Sequence, residues 1–152
     1  MIILALDPGI QTGYAIIGYD GELSAVVSRA GAIETGKENR ELDIYNALAN
    51  LVYGVDAVAM EQLLAFHGRM SGDRYMIEGV IMLFMQQHKI SLEAMHPSTV
   101  KAFITGKGNA KKADMRAVLK ELIEMPAKSN VHAVDAVAVG LTWLHKNKGF
   151  TF

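Results

Sequence analysis

Residues 2–7 read IILALD, an apolar run too short and too β-branched for a helix, ending on a charge. Such a run reads as a buried strand, with Asp7 at its carboxyl end. Pro8 and Gly9 turn the chain, and 12–19 (TGYAIIGY) returns as a second strand. Asp20-Gly21 is a tight-turn signal leading into a third strand near 22–34. This opening constrains the fold most: a three-stranded antiparallel meander whose first strand delivers a carboxylate to the edge of the sheet. Burying that charge is costly unless it has a partner.

The rest of the chain alternates helix and strand. Leu42, Tyr45, Ala49 and Val52 recur at helical spacing, and Gly54 supplies a stop. Residues 56–61 (DAVAME) form a strand that ends on a second carboxylate, Glu61. A helix is expected over about 71–88, capped by Ser71 or Asp73. Its Met76, Ile77, Val80, Ile81, Leu83, Phe84 and Met85 spread apolar surface over more than one face. Such a helix is either wholly buried or meets another subunit with its second face. Residues 91–96 (SLEAMH) read as a fifth strand ended by Pro97. Asn109 is placed to cap a helix striped by Met115, Val118, Leu119 and Leu122 and stopped by Pro126. A last helix, capped by Ser129 or Asn130, runs from about 130 to 146. Strands separated by helices imply an α/β fold, a five-stranded mixed sheet with helices on both faces. Without repeat or linker, residues 1–152 read as a single domain.

Composition narrows the function classes. The chain has no cysteine, which excludes disulfides and thiolate zinc sites and fits a reducing, cytoplasmic setting. No basic region followed by a long apolar run marks a secretory signal, and no apolar run approaches the ~20 residues of a membrane span. A net charge of −1 rules out a molecule basic overall, so a nucleic-acid case rests on where the charges sit.

Three elements carry candidate ligands. Asp7 and Glu61 end strands, and functional groups in such folds gather at strand carboxyl ends. In VHAVDAVAVGL, His132 and Asp135 stand three apart, on one face of the last helix near its N-terminus, which favours an ionised Asp135. Each residue alone also has a plain structural reading: a turn residue, a solvated strand end, a polar group at a helix start. Asp135 is the hardest to dismiss, because Val131, Val134, Val137, Ala138 and Leu141 surround it. Carboxylates brought together raise one another's pKa unless a cation relieves the repulsion. Oxygen ligands without thiolate point to Mg²⁺ or Mn²⁺, and two such ions roughly 4 Å apart suit phosphodiester hydrolysis.

Four segments in order resemble the RuvC-type Holliday junction resolvases of the RNase H-like superfamily. LALDPGIQTGYAII is similar to the family's opening D-P-G-x-x-x-T-G-Y motif, and AMEQLL to its second, an acidic strand end followed by Gln. HPSTVKAFITGKGNAKKADM resembles the segment of Pro, Lys, Thr-Gly-x-Gly-x-Ala and Lys, and HAVDAVAVGLTWLH the closing D-x-x-D-A-x-A-x-A motif. The resemblance runs from residue 2 to about 145.

It implies an RNase H-like fold, a homodimer joined through the helix at about 71–88, and Mg²⁺-dependent nicking of four-way DNA junctions in recombination and repair. Asp7, Glu61, His132 and Asp135 become the ligands of two Mg²⁺ ions, with Mn²⁺ as a substitute. His132 departs from the usual Asp, and imidazole favours Mn²⁺ relatively more than aspartate would. Lys101 and Lys112 match basic positions near the scissile phosphate. With Lys107, Lys111, Arg116 and Lys120 they make six cations in 98–120 against the single anion Asp114. That basic patch reads as phosphate contacts, though a solvated helix face has the same composition. After Glu61-Gln62 the family often carries an aromatic wedge; here Leu64 holds the position and Phe66 follows, either wedge or core. The departures at His132 and Leu64, with the short chain, are compatible with a phage or mobile-element origin. Two other functions share these residues: an RNase H-fold nuclease acting on other branched DNA or on RNA, and a module that binds junctions without cutting them.

Overall fold

The computed structural model describes residues 1–22, 24–63, 72–127 and 129–152. The expected leading leucine or phenylalanine wedge, Leu64 or Phe66, lies outside them, as does the possible cap Ser71. Five strands, β1 (Ile2–Asp7), β2 (Gly13–Tyr19), β3 (Ala25–Ala32), β4 (Ala57–Glu61) and β5 (Leu92–Met95), form one sheet in the order β3-β2-β1-β4-β5. β1, β2 and β3 pair antiparallel, whereas β1 with β4 and β4 with β5 are parallel. This is the mixed sheet expected from the meander followed by helix-separated strands. Its central strand is β1, hydrogen-bonded on both edges and covered on both faces, which is why IILAL carries no polar alternation.

The helices are α1 (Arg40–Leu51), α2 (Gly72–Gln87), α3 (Pro97–Thr105), α4 (Lys112–Leu122) and α5 (Val131–Lys148). Leu4, Leu6, Val58 and Met60 pack with α1 and α2 on one face; Ile3, Ala5 and Ala59 pack with α3, α4 and α5 on the other. The period-two alternation of a strand therefore assigns Asp7 and Glu61, both at odd positions, to the α5 face. The parallel register pairs Leu6 with Met60, and one further step sets Asp7 beside Glu61.

Two local readings change. Pro97 does more than end β5: it occupies the first turn of α3, capped by the His96 ring, which accepts from Ser98 N. Proline is tolerated there because the first helical N–H has no partner within the helix. Asn109 does not cap α4, which starts at Lys112 with Lys111 as its N-cap and no side-chain cap. Of the two caps proposed for α5, Asn130 is the one used, accepting from Ala133 N at 2.9 Å.

Candidate active site

α5 is buried continuously from Ala133 to Leu144, so it is the central helix of its layer and its polar residues lie deep. Two glycines admit it. A Cβ on Gly13 would stand 2.1 Å from the His132 carbonyl oxygen, and one on Gly140 2.6 Å from Ile17 Cδ1. Only hydrogen at Gly13 allows the first turn of α5 to approach the start of β2, and that approach brings Asp135 to the end of β1. The turn after Asp7 is pinned by Thr12, wholly buried, whose hydroxyl donates to the Gly9 carbonyl at 3.0 Å.

Asp7, Glu61 and Asp135 thereby converge from three elements, at 7%, 8% and 1% exposure. The group at their convergence is the Lys112 ammonium, 3.7 Å from Asp7 Oδ1, 3.4 Å from Glu61 Oε1 and 3.0 Å from Asp135 Oδ2. One turn further along α4, Arg116 grips Asp135 with both arms of its fork: Nε donates to Oδ1 and Nη2 to Oδ2, each at 2.7 Å. Residues four apart share a helix face, so α4 presents both cations to the carboxylates together.

Burial pushes the Asp7 carboxyl up from 3.8 to about 7, with Glu61 and Asp135 adding to the rise and Lys112 and Arg116 opposing it. For Lys112, burial lowers the ammonium's pKa, but the three carboxylates outweigh it and the net direction is upward. The Arg116 guanidinium is raised by its hydrogen bonds to Asp135. Even with two cations present, one carboxylate is pushed toward its neutral form. Three carboxylates face two cations, so the fully ionised cluster keeps one uncompensated negative charge.

The carboxylates floor a cleft of about 850 Å³, whose walls also carry His132, Lys101, Gln11, Gln62, Arg74 and His96. Among the described residues, no three Asp, Glu or His side chains stand close enough to share one ion as they are placed. The donor set nevertheless fits a hard divalent cation. Its carboxylates already surround a monovalent cation, and they remain under-neutralised. Lys107, between α3 and α4, and Lys111, the N-cap of α4, are exposed and do not line the cleft. Gly108 packs against the Ser98 backbone and holds their loop to α3. Sequence reasoning placed Arg116 on DNA and missed its pairing with Asp135, as it missed Arg74 and His96. The four-residue spacing of Lys112 and Arg116 was the available signal for the first.

The family model described as crossover junction endodeoxyribonuclease RuvC matches residues 3–143. The chain belongs to the RuvC family. RuvC of Prochlorococcus marinus (strain MIT 9301) is 31% identical over 156 residues, covering 97% of this chain and 98% of the relative. RuvC of Caldicellulosiruptor saccharolyticus is 35% identical over 154 residues, covering 93% and 90%. Among solved structures, T. thermophilus RuvC in complex with a Holliday junction substrate superposes with a TM-score of 0.77 at 21% identity, over 93% of this chain and 92% of that one. That likeness establishes the RNase H-like fold. RuvC nucleases depend on metal, in keeping with a carboxylate cluster short of positive charge.

Proposed function

We propose that this protein resolves four-way DNA junctions by paired, metal-dependent phosphodiester hydrolysis, acting in recombination and repair. The observation that carries the reading is the convergence of Asp7, Glu61 and Asp135 on one cationic group at the floor of an open cleft. Asp7, Glu61, Asp135 and His132 would hold two Mg²⁺ ions, or Mn²⁺ in their place. Bound there, the ions supply an activated water and charge stabilisation for the departing 3′ oxygen.

The protein's own groups do the rest. The Asp7 carboxylate must give up its proton before it can act as a ligand. The Lys101 ammonium, on the α3 wall, and the Lys112 ammonium, at the floor, neutralise charge on the phosphate. Lys107 and Lys111 contact the flanking backbone, and Leu64 or Phe66 wedges into the junction centre.

A homodimer completes the reading. Ile77, Ile81, Phe84 and Met85 bury one face of α2, while Tyr75, Met76, Met82 and Leu83 remain about half-exposed. A second copy packed on this face gives two identical sites related by a two-fold axis, matching a nearly two-fold junction. Residues 1–152 act as one nuclease domain, in the cytoplasm. Among the described residues no helix is long and apolar enough to cross a membrane.

The test is to incubate the protein with four-way, three-way and linear DNA and with an RNA–DNA hybrid, in Mg²⁺ or Mn²⁺. Symmetric, ligatable nicks confined to the four-way substrate are expected. Equal cutting of the three-way DNA or the hybrid replaces the substrate. Binding without cutting in either metal overturns the nuclease.

A further inference from the structure

The nuclease reading leaves Arg116 without a task, yet it makes the tightest contacts in the site. A guanidinium fork seated on a carboxylate takes one in-plane lone pair on each oxygen, electrons that a coordinating cation also needs. Asp135 is held this way at 2.7 Å on both oxygens, and Lys112 is added on Oδ2; at 1% exposure this leaves one in-plane lone pair, on Oδ1. A divalent ion and Arg116 therefore compete for the same carboxylate. Arg116 itself is partly exposed and lines the cleft that DNA enters on the reading above, so its fork can turn to a phosphate oxygen without leaving the site. Phosphate accepts the same two-point grip as carboxylate.

We propose that Arg116, seconded by Lys112, is a substrate-operated latch on the metal site. In DNA-free protein it occupies Asp135; a phosphate in the cleft draws it off, and Asp135 becomes free to hold metal. Metal loading and DNA binding are then coupled, each raising the affinity for the other by the same factor. The inference rests on the metal-dependent reading, but its test does not need cleavage.

Mn²⁺ is titrated into DNA-free protein, with the free ion followed by electron paramagnetic resonance. Arg116→Gln is expected to bind Mn²⁺ at least tenfold more tightly than the wild type. Arg116→Lys, which keeps the charge and loses the fork, should bind at least threefold more tightly. In EDTA, Arg116→Gln should bind a four-way junction several-fold more weakly, with a log–log salt slope smaller by about one, as expected for one lost phosphate contact. Melting curves verify that each variant is folded. If folded Arg116→Gln binds Mn²⁺ no better than the wild type, Arg116 merely positions Asp135 and the latch is overturned. Arg116→Lys indistinguishable from the wild type has the same consequence, and it decides the matter should Arg116→Gln fail to fold. A wild type that cuts no DNA in either metal sinks the nuclease reading, whereas the Mn²⁺ titrations still judge the latch.

Discussion

Asp7 sets a conflict between stability and function. Its pKa is raised from 3.8 to about 7, so the folded state holds the proton more tightly than the unfolded chain does. The contribution of Asp7 to stability is therefore greatest below pH 3.8, falls as pH climbs towards about 7, and levels off above it. Asp7→Asn lacks this loss. In EDTA at pH 8 it should melt above the wild type by an amount of the order of 1–3 kcal/mol, with the gap vanishing below about pH 4. Added Mg²⁺ should reverse the order, raising the melting temperature of the wild type only. Because the ion displaces the Asp7 proton, wild-type metal affinity should rise with pH up to about 7. Calorimetry at pH 6 in two buffers should record about one proton released. Gly13 acts at the same scale through absence. Gly13→Ala drives a methyl group into the His132 backbone, whereas a Cβ on Gly18 meets nothing closer than 3.9 Å. Gly13→Ala should cost roughly 1–3 kcal/mol of stability by urea titration and at least about a hundredfold in cleavage rate, by moving Asp135. Gly18→Ala should do neither.

The elements differ in how plainly the sequence announces them. α5 is apolar on every side and capped by Asn130, and its near-complete burial follows from that pattern. α2 is also too apolar for one stripe, and the structure leaves Tyr75, Met76, Met82 and Leu83 on an open face. On the proposed homodimer, light scattering at micromolar concentration should give a dimer for the wild type and a folded monomer for a Met82→Glu/Leu83→Glu double variant; a monomeric wild type overturns the homodimer. A dimer that survives the change places the interface elsewhere. α3 escaped the reading because Pro97 signals both the end of a strand and the first turn of a helix, and nine residues show too little period to choose. α4 was found but its start was misplaced. Asn109 looks like a cap, yet α4 starts only at Lys112, with Lys111 as its N-cap. The delay matters, because the register of α4 decides which cations face the carboxylates.

Taken as a whole, the molecule carries almost no net charge, and its cations act by position. Lys101 lines the cleft, and Lys107 and Lys111 are exposed in the segment that leads into α4. Replacing each of the three by Met should weaken junction binding in EDTA and lower the log–log salt slope by about one per residue, measured by fluorescence anisotropy. Variants that leave the slope unchanged are not touching phosphate. The five-stranded mixed sheet with its antiparallel meander, four of the five helices and the three acidic positions are legible in the sequence; the strand order and α3 are not. The legible features rest on short-range patterns: an apolar run ending in Asp7, another ending in Glu61, and His132 and Asp135 on one turn of a buried helix. That Asp7 and Glu61 share a face needs the parallel register of β1 and β4, which pairs Leu6 with Met60. Only the tertiary structure decided what neutralises those carboxylates. Lys112 and Arg116 reach Asp135 across 23 and 19 residues of chain, where α4 crosses α5. A crossing of two helices leaves no period in the sequence, so a basic patch and a catalytic counter-charge look alike until the helices are packed.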